Sequence, residues 1–181
     1  MYFKFSVYLN DNDYLEYNTF WNIRSPYGKK QILGARILLA VFFLAIVFAS
    51  LYSAGFSVPG LLGVTPYFIA LVLAEVFLNK FFILCLKGQI KSLKKNGKPA
   101  YSPVSEMEFY EESFVEITPD GSMSQKYSSV ERVSIITDKV IYIHVNNIMS
   151  FILPISSFNS KEQYDGFLSF IKTKCRNIDV Y

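Results

Sequence analysis

The chain has 181 residues, of which 51% are hydrophobic and 17% aromatic, with a mean hydropathy of +0.25. Because the apolar residues concentrate in the centre and the flanks are polar, a membrane protein with a modest extramembrane domain is favoured over one soluble globule. The net charge is +3, yet residues 37–100 carry six bases and one acid, whereas residues 101–181 carry seven bases and eleven acids. A basic excess beside the apolar centre, and not on the polar tail, argues against a nucleic-acid partner.

The first 31 residues predict a strand and a short helix. Residues 2–9 alternate as a strand does. The cluster Asn10-Asp11-Asn12-Asp13 offers helix caps for residues 14–24, and Ser25-Pro26-Tyr27-Gly28 is expected to end that helix. Its aromatic side chains either pack on the rest of the protein or lie among lipid headgroups: Tyr14, Tyr17, Phe20 and Trp21. Whether residues 1–31 complete the C-terminal domain is an open question at this point.

Two apolar runs, 37–56 and 61–86, predict a transmembrane helical hairpin over residues 32–88. Each run exceeds or equals the roughly 20 residues that cross a bilayer core, and the connection Ser57-Val58-Pro59-Gly60 has no charge. Bases flank both outer ends of the hairpin, so the positive-inside rule predicts a cell-membrane protein with two spans and both termini in the cytoplasm. The pairs Ala45/Ala49 and Ala70/Ala74 are consistent with close contact between the two helices.

Two charged residues within the second run, Glu75 and Lys80, are the candidate intramembrane functional residues. Placing an ionised carboxylate in hydrocarbon costs free energy. Glu75 must therefore be protonated, be paired with a positive charge, or face protein or water. One interpretation makes Glu75 a proton relay or an ion ligand. The other makes it a structural group in a helix interface, such as a dimer contact, where it is either protonated or close to Lys80. Lys80 lies nearer the basic end, where its long stem can reach the headgroups.

The stretch 89–103 is a basic juxtamembrane linker, whose first part is expected to prolong the second helix as far as Asn96-Gly97. Beside an anionic leaflet, each base adds about 1 kcal/mol of attraction. The candidate anionic-lipid contacts are Lys87, Lys91, Lys94, Lys95 and Lys98.

Residues 104–181 predict a small antiparallel sheet of about six strands closed by a C-terminal helix, which gives an α+β fold class. The strands are separated by turn residues at Glu111-Glu112, Pro119-Asp120-Gly121-Ser122, Asp138-Lys139 and Asn146-Asn147. A capping box, Ser160-Lys161-Glu162-Gln163, opens the helix. Its apolar face is formed by Tyr164, Phe167, Leu168, Ile171 and Cys175.

Several short motifs resemble those of the bacterial YcxB-like family. They are Asp13-Tyr14-Leu15-Glu16-Tyr17-Asn18 ahead of Ser25-Pro26-Tyr27-Gly28-Lys29-Lys30, then Glu108-Phe109-Tyr110, Tyr127-Ser128-Ser129-Val130, Val140-Ile141-Tyr142-Ile143, and Ile152-Leu153-Pro154 before Phe158. The resemblance implies a bacterial inner-membrane hairpin carrying a domain similar to pleckstrin-homology-like (PH-like) sheets. It implies no activity, catalytic residue or cofactor.

No pattern typical of catalysis or metal binding is present, so we expect neither an enzyme nor a cofactor. The single histidine, His144, is expected to be exposed or hydrogen-bonded in its strand, since nothing at metal-ligand spacing accompanies it. Cys85 and Cys175 are expected to be unpaired thiols. The acidic pairs Glu106/Glu108 and Glu111/Glu112 are expected to be solvated.

Two functional hypotheses follow. In the first, the protein is a non-enzymatic scaffold or regulator at the membrane, whose cytoplasmic domain binds a protein, a peptide or a lipid headgroup, with exposed strand edges available for peptide addition. Its partners would be membrane lipids, a protein, or further copies of the chain. In the alternative, the hairpin is a small transporter or channel subunit in which Glu75 titrates.

Overall fold

The computed structural model describes residues 1–55, 57–97, 100–146 and 149–181. The chain divides into two compact units, one formed by Met1–Tyr14 with Pro99–Tyr181 and the other by Leu15–Lys98. The helices are α1 (Asp11–Thr19), α2 (Pro26–Ala54), α3 (Val58–Lys95) and α4 (Lys161–Lys174). The strands are β1 (Phe3–Tyr8), β2 (Val104–Phe109), β3 (Ser113–Thr118), β4 (Gly121–Lys126), β5 (Arg132–Ile136), β6 (Val140–His144), β7 (Ser150–Pro154) and β8 (Ile178–Val180). The predicted α+β class is confirmed.

Both long helices, α2 and α3, are long and apolar enough to cross a membrane. Helix α2 begins ahead of its apolar run, because the Ser25 hydroxyl accepts the Gly28 N–H at 3.0 Å and Pro26 occupies the first helical position. Helix α3 begins at Val58, where Ser57 is the cap. The predicted four-residue connection is therefore too long, since Gly60 already lies within α3. Phe56 lies outside the described residues.

The N-terminal helix also differs from the prediction. Helix α1 begins at Asp11, and a π-helical turn, Phe20–Arg24, follows it. The Ser25 N–H donates to the Phe20 carbonyl at 2.8 Å, which closes this wider turn. Gly28 must be glycine here, because a Cβ at that position would lie 2.4 Å from the carbonyl oxygen of Trp21.

Of the small residues proposed from the sequence for the contact between α2 and α3, Ala70 and Ala74 on α3 are half-buried. Val47 and Val64 are the most buried apolar side chains of the hairpin. Ala45 and Ala49 are both exposed, so the prediction that they face the second helix is wrong.

The first sheet has the order β1-β2-β3-β4, with every neighbouring pair antiparallel. Strand β1 pairs along its whole length with β2, from Phe3 opposite Phe109 to Tyr8 opposite Val104. The N-terminal strand is thus an edge of this sheet, and residues 1–14 belong to the same unit, whereas residues 15–31 belong to the other unit. The β2–β3 and β3–β4 turns lie where the sequence places them.

The second sheet has the order β7-β6-β5-β8. Its last strand was not predicted, and it runs parallel to β5, with Val133 opposite Ile178. The prediction of a single antiparallel sheet of about six strands is therefore corrected to two four-stranded sheets. Strand β8 runs parallel because α4 returns the chain to the start of β5, where the Val133 N–H donates to the Asn177 carbonyl at 2.8 Å.

Aromatic side chains from both ends of the chain form the domain core. Phe167 of α4 lies 5.2 Å from Phe5 of β1 and 4.8 Å from Phe109 of β2, measured between ring centroids. Ser160 caps α4 as predicted, with its hydroxyl accepting the Gln163 N–H at 3.2 Å. The buried side of α4 includes Phe167, Ile171 and, just after its end, Cys175, which confirms the predicted apolar face.

Candidate functional site

The carboxylate of Glu75 pairs with an arginine, and not with the lysine suggested by the sequence. Its Oε2 lies 3.7 Å from Nε of Arg36 on α2, and 28% of its side chain is exposed. Lys80 instead places its ammonium 5.5 Å from the centroid of the Phe77 ring. Asn79, one turn beyond Glu75, has a buried side-chain oxygen with no hydrogen bond among the described residues. The functional role predicted for Glu75 and Lys80 stays a prediction.

The predicted lipid-contacting lysines lie on the last turns of α3. Lys87, Lys91, Lys94 and Lys95 are exposed. Lys98 lies outside the described residues. Helix α3 ends at Lys95, and Gly97 follows with a φ of +68°, as expected of a helix C-terminus. The first part of the predicted linker is therefore helical.

On the sheet domain, the feature best suited to recognition is the outer edge of β4. This strand pairs with β3 alone, and every residue in it except Gln125 is exposed. The Tyr127 N–H donates to the Glu112 carbonyl at 3.2 Å. Because hydrogen-bonded and non-hydrogen-bonded pairs alternate along an antiparallel ladder, the backbone groups of Ser122 and Ser124 point away from β3.

These outward groups are open for pairing. No other strand in the described part of the chain reaches this edge. The carbonyl of Lys126 accepts the Ser129 hydroxyl at 2.7 Å, so Ser122 and Ser124 supply the exposed donors and acceptors. Proteins usually protect such an edge with proline, several charges or a bulge. Strand β4 carries one charge, on Lys126, and no proline.

Two methionines flank the same edge on the side that faces the domain interior. Met123 is 44% exposed, and the thioether of Met149 lies 3.6 Å from the side-chain nitrogen of Gln125. Methionine side chains are flexible and polarizable, so they fit varied apolar partners. Glu116, opposite Met123 in the register, is partly buried, and this burial raises its pKa.

The histidine is buried in the second sheet. Only 1% of His144 is exposed, and its ring nitrogens lie 2.8 Å from the Ser150 hydroxyl and 3.1 Å from the Ser134 hydroxyl. Burial, aided by the charge of Arg132, lowers its pKa from 6.5 to about 4. The side chain is thus neutral at pH 7 and hydrogen-bonded, while the alternative expectation of an exposed histidine is wrong.

Three of the four acidic residues in these pairs contact other elements of the domain. The Lys4 ammonium lies 2.8 Å from Glu106 and 3.1 Å from Glu108, linking β1 to β2. Glu111 accepts hydrogen bonds from Tyr2 and from Lys174 at the end of α4. These contacts link the N-terminal strand to β2 and to the end of α4, while Glu106 and Glu111 stay 45% and 62% exposed, as expected of solvated acids. No group of three metal-ligating side chains occurs among the residues that the structure describes.

The comparison with known families supports the resemblance seen in the sequence. Residues 109–171 match the YcxB-like protein family. This YcxB-like region begins at the end of β2 and includes the strands up to β7 and most of α4, so it contains the β4 edge and His144. Neither the curated proteins nor the solved structures provide a match to the chain.

The sequence analysis missed three parts of this arrangement. Arg36 lies just before the apolar run, among the bases at the outer end of the hairpin, and nothing in the sequence pattern links it to Glu75. The outward-pointing groups of Ser122 and Ser124 depend on which strands are neighbours. The signal for β8 was present in Asn177-Ile178-Asp179-Val180, a short alternating stretch that follows the last helix.

Proposed function

We propose that the protein is a membrane-anchored interaction module whose sheet domain binds an extended segment of a partner protein along β4. The exposed outer edge of β4, with its unpaired backbone groups at Ser122 and Ser124, carries this proposal. A strand added to a sheet edge gains affinity from main-chain hydrogen bonds and specificity from alternate side chains. Apolar side chains of the partner would lie against Met123 and Met149.

The hairpin would hold this domain at the cytoplasmic face of the membrane. Bases lie at the outer ends of both helices, and the described part of the connection is uncharged. Such a distribution favours cytoplasmic termini. We regard the domain as PH-like, because two four-stranded sheets and a C-terminal helix are its main elements. In this proposal the module is a scaffold or regulator and performs no catalysis.

The alternative, a transporter or channel subunit, draws on the charged pair in the hairpin. Glu75 already has Arg36 as a counter-charge, and an ion pair near a helix interface also serves packing alone. The hairpin offers one carboxylate, Glu75, between residues 26 and 95, whereas proton relays use chains of titratable groups. We therefore prefer the interaction module.

The proposal is tested by replacing Ser124 with proline in the full-length chain. Proline removes the outward N–H and leaves the β3–β4 hydrogen bonds in place, since Ser124 is a non-hydrogen-bonded position. Ser124→Ala is the matched control because it keeps the N–H. Crosslinking in native membranes should capture one defined protein with wild type and Ser124→Ala, and lose it with Ser124→Pro.

A second measurement locates the contact. Hydrogen exchange at the amides of Ser122 and Ser124 should slow in the purified complex, whereas the amides of β8 should be unaffected. If Ser124→Pro is crosslinked to the partner protein as strongly as wild type is, docking on β4 is refuted. Crosslinks between copies of the chain alone would assign the edge to self-association, and binding to lipid alone would move recognition to the basic end of the hairpin.

A further inference from the structure

The ion pair between Arg36 and Glu75 lies toward the basic end of the hairpin, away from the turn that joins its two helices. Glu75 is close to the middle of the apolar run 61–86, which suggests a position in the bilayer centre. Counted from the start of α3 at Val58, however, it lies about 26 Å along the helix at ~1.5 Å per residue. Since a hydrocarbon core is about 30 Å thick, Glu75 lies near its basic-side boundary when the turn is at the opposite one.

Three lysines lie farther from the turn of the hairpin than the Arg36–Glu75 pair does. Lys80 follows Glu75 by five residues, and Lys29 and Lys30 precede Arg36 by seven and six residues on the antiparallel helix. At ~1.5 Å per residue, the three lie within about 3 Å of one another along the hairpin axis. All three are exposed, and none takes part in an ion pair among the described residues.

Arg36 lies about 8 to 11 Å deeper than these lysines, within reach of the headgroups through its long stem. Its separation from Glu75, 3.7 Å, exceeds a hydrogen-bond length, and its Nε has no hydrogen bond among the described residues. Yet 42% of the side chain is exposed. A guanidinium is well suited to bidentate binding of phosphate oxygens.

We propose that Arg36 binds the phosphate of an anionic phospholipid, and that Lys29, Lys30 and Lys80 surround the same headgroup layer. This inference rests on the proposed membrane insertion of the hairpin and is independent of docking on β4. It moves the lipid contacts away from the lysines of the α3 extension. Lys87 and Lys95 lie about 10 and 22 Å beyond Lys80 along the helix axis, outside the headgroup layer of an upright hairpin.

Native mass spectrometry of the purified full-length protein tests the lipid site, with phosphatidylglycerol titrated against phosphatidylcholine. Arg36→Gln should weaken binding of the first phosphatidylglycerol about fivefold, which corresponds to ~1 kcal/mol per base at ~1.4 kcal/mol per tenfold. Arg36→Lys should bind between Arg36→Gln and wild type, because it keeps the charge and loses the bidentate geometry of the guanidinium. Lys95→Gln removes the same charge further out and should change little.

The variant Glu75→Gln separates lipid binding from a purely structural ion pair. Removal of the competing carboxylate should leave phosphatidylglycerol binding unchanged or stronger. If Arg36→Gln binds phosphatidylglycerol as wild type does, or if Glu75→Gln weakens binding as much as Arg36→Gln, the lipid site is refuted. Resistance of each variant to alkaline extraction from membranes reports insertion separately, so a failed anchor is distinguishable from a failed lipid site.

The native thiol Cys85 tests the depth itself. It is exposed and lies five residues beyond Lys80, whereas Cys175 is buried. In membrane vesicles whose basic side faces the medium, a membrane-impermeant maleimide should label wild type and fail to label Cys85→Ala. Labelling supports a boundary near Lys80. Protection of Cys85 in an inserted chain would place the hydrocarbon boundary beyond residue 86. It would then overturn the proposed headgroup contacts of Lys29, Lys30, Arg36 and Lys80.

Discussion

Deleting the hairpin and joining Tyr14 to Tyr101 tests whether both ends of the chain build the sheet domain. The two rings stack with centroids 5.1 Å apart, and Tyr101 donates a hydrogen bond to Asp11 at 2.6 Å. A flexible linker of about six Gly and Ser residues, which reaches about 13 Å, can therefore connect them. We expect this joined domain to unfold cooperatively in urea, and residues 101–181 alone to be strongly destabilised.

The magnitude follows from the burial of β1. Phe5 is 2% exposed and Val7 is fully buried, and complete burial of such a side chain contributes about 1.5–3 kcal/mol. Loss of β1 therefore removes about 3–6 kcal/mol, a large share of the 5–15 kcal/mol typical of a domain. At a urea dependence of about 2 kcal/mol per molar, the midpoint should fall by at least about 1.5 M.

Point variants of the joined domain provide matched controls. Phe5→Ala should cost about 3–5 kcal/mol because it empties part of an aromatic core. Tyr8→Ala, at the exposed end of the same strand, should change stability by less than about 0.5 kcal/mol. Equal urea midpoints for residues 101–181 and the joined domain would refute the conclusion that β1 is an integral part of the domain.

Three further predictions concern single side chains. His144 has a pKa of about 4 in the folded domain and about 6.5 in the unfolded chain. The free energy of unfolding should therefore fall by up to about 3 kcal/mol as the pH drops from 6.5 to 4. In urea unfolding, His144→Gln should show a smaller decrease over the same pH range. Ser160→Ala should lower the free energy of unfolding by about 1 kcal/mol, because it removes the cap of α4. In thermal unfolding, Ser160→Thr should keep most of the stability. Equal losses for the two variants would contradict a capping role. Glu75→Gln should leave insertion and β4-dependent crosslinking intact; loss of function at normal abundance would instead favour the transporter or channel.

The elements that depend on local pattern could be predicted from the sequence. Two apolar runs indicated α2 and α3, alternation and turn residues indicated β2 to β7, and the capping box indicated α4 with its apolar face. These signals are local, because period, caps and turns act over a few residues. The existence of β1 was also predicted, but its neighbour was not.

The candidate sites depend on contacts between distant residues, which explains why the sequence alone did not reveal them. The identity of β4 as an open edge requires the full strand order, including the pairing of β1 with β2 and of β8 with β5. Likewise, hydropathy placed Glu75 near the centre of an apolar run, whereas antiparallel packing brings it level with Arg36. The spacing of apolar residues along the sequence determines which residues form each element. Strand order and helix register arise instead from burial of the whole core.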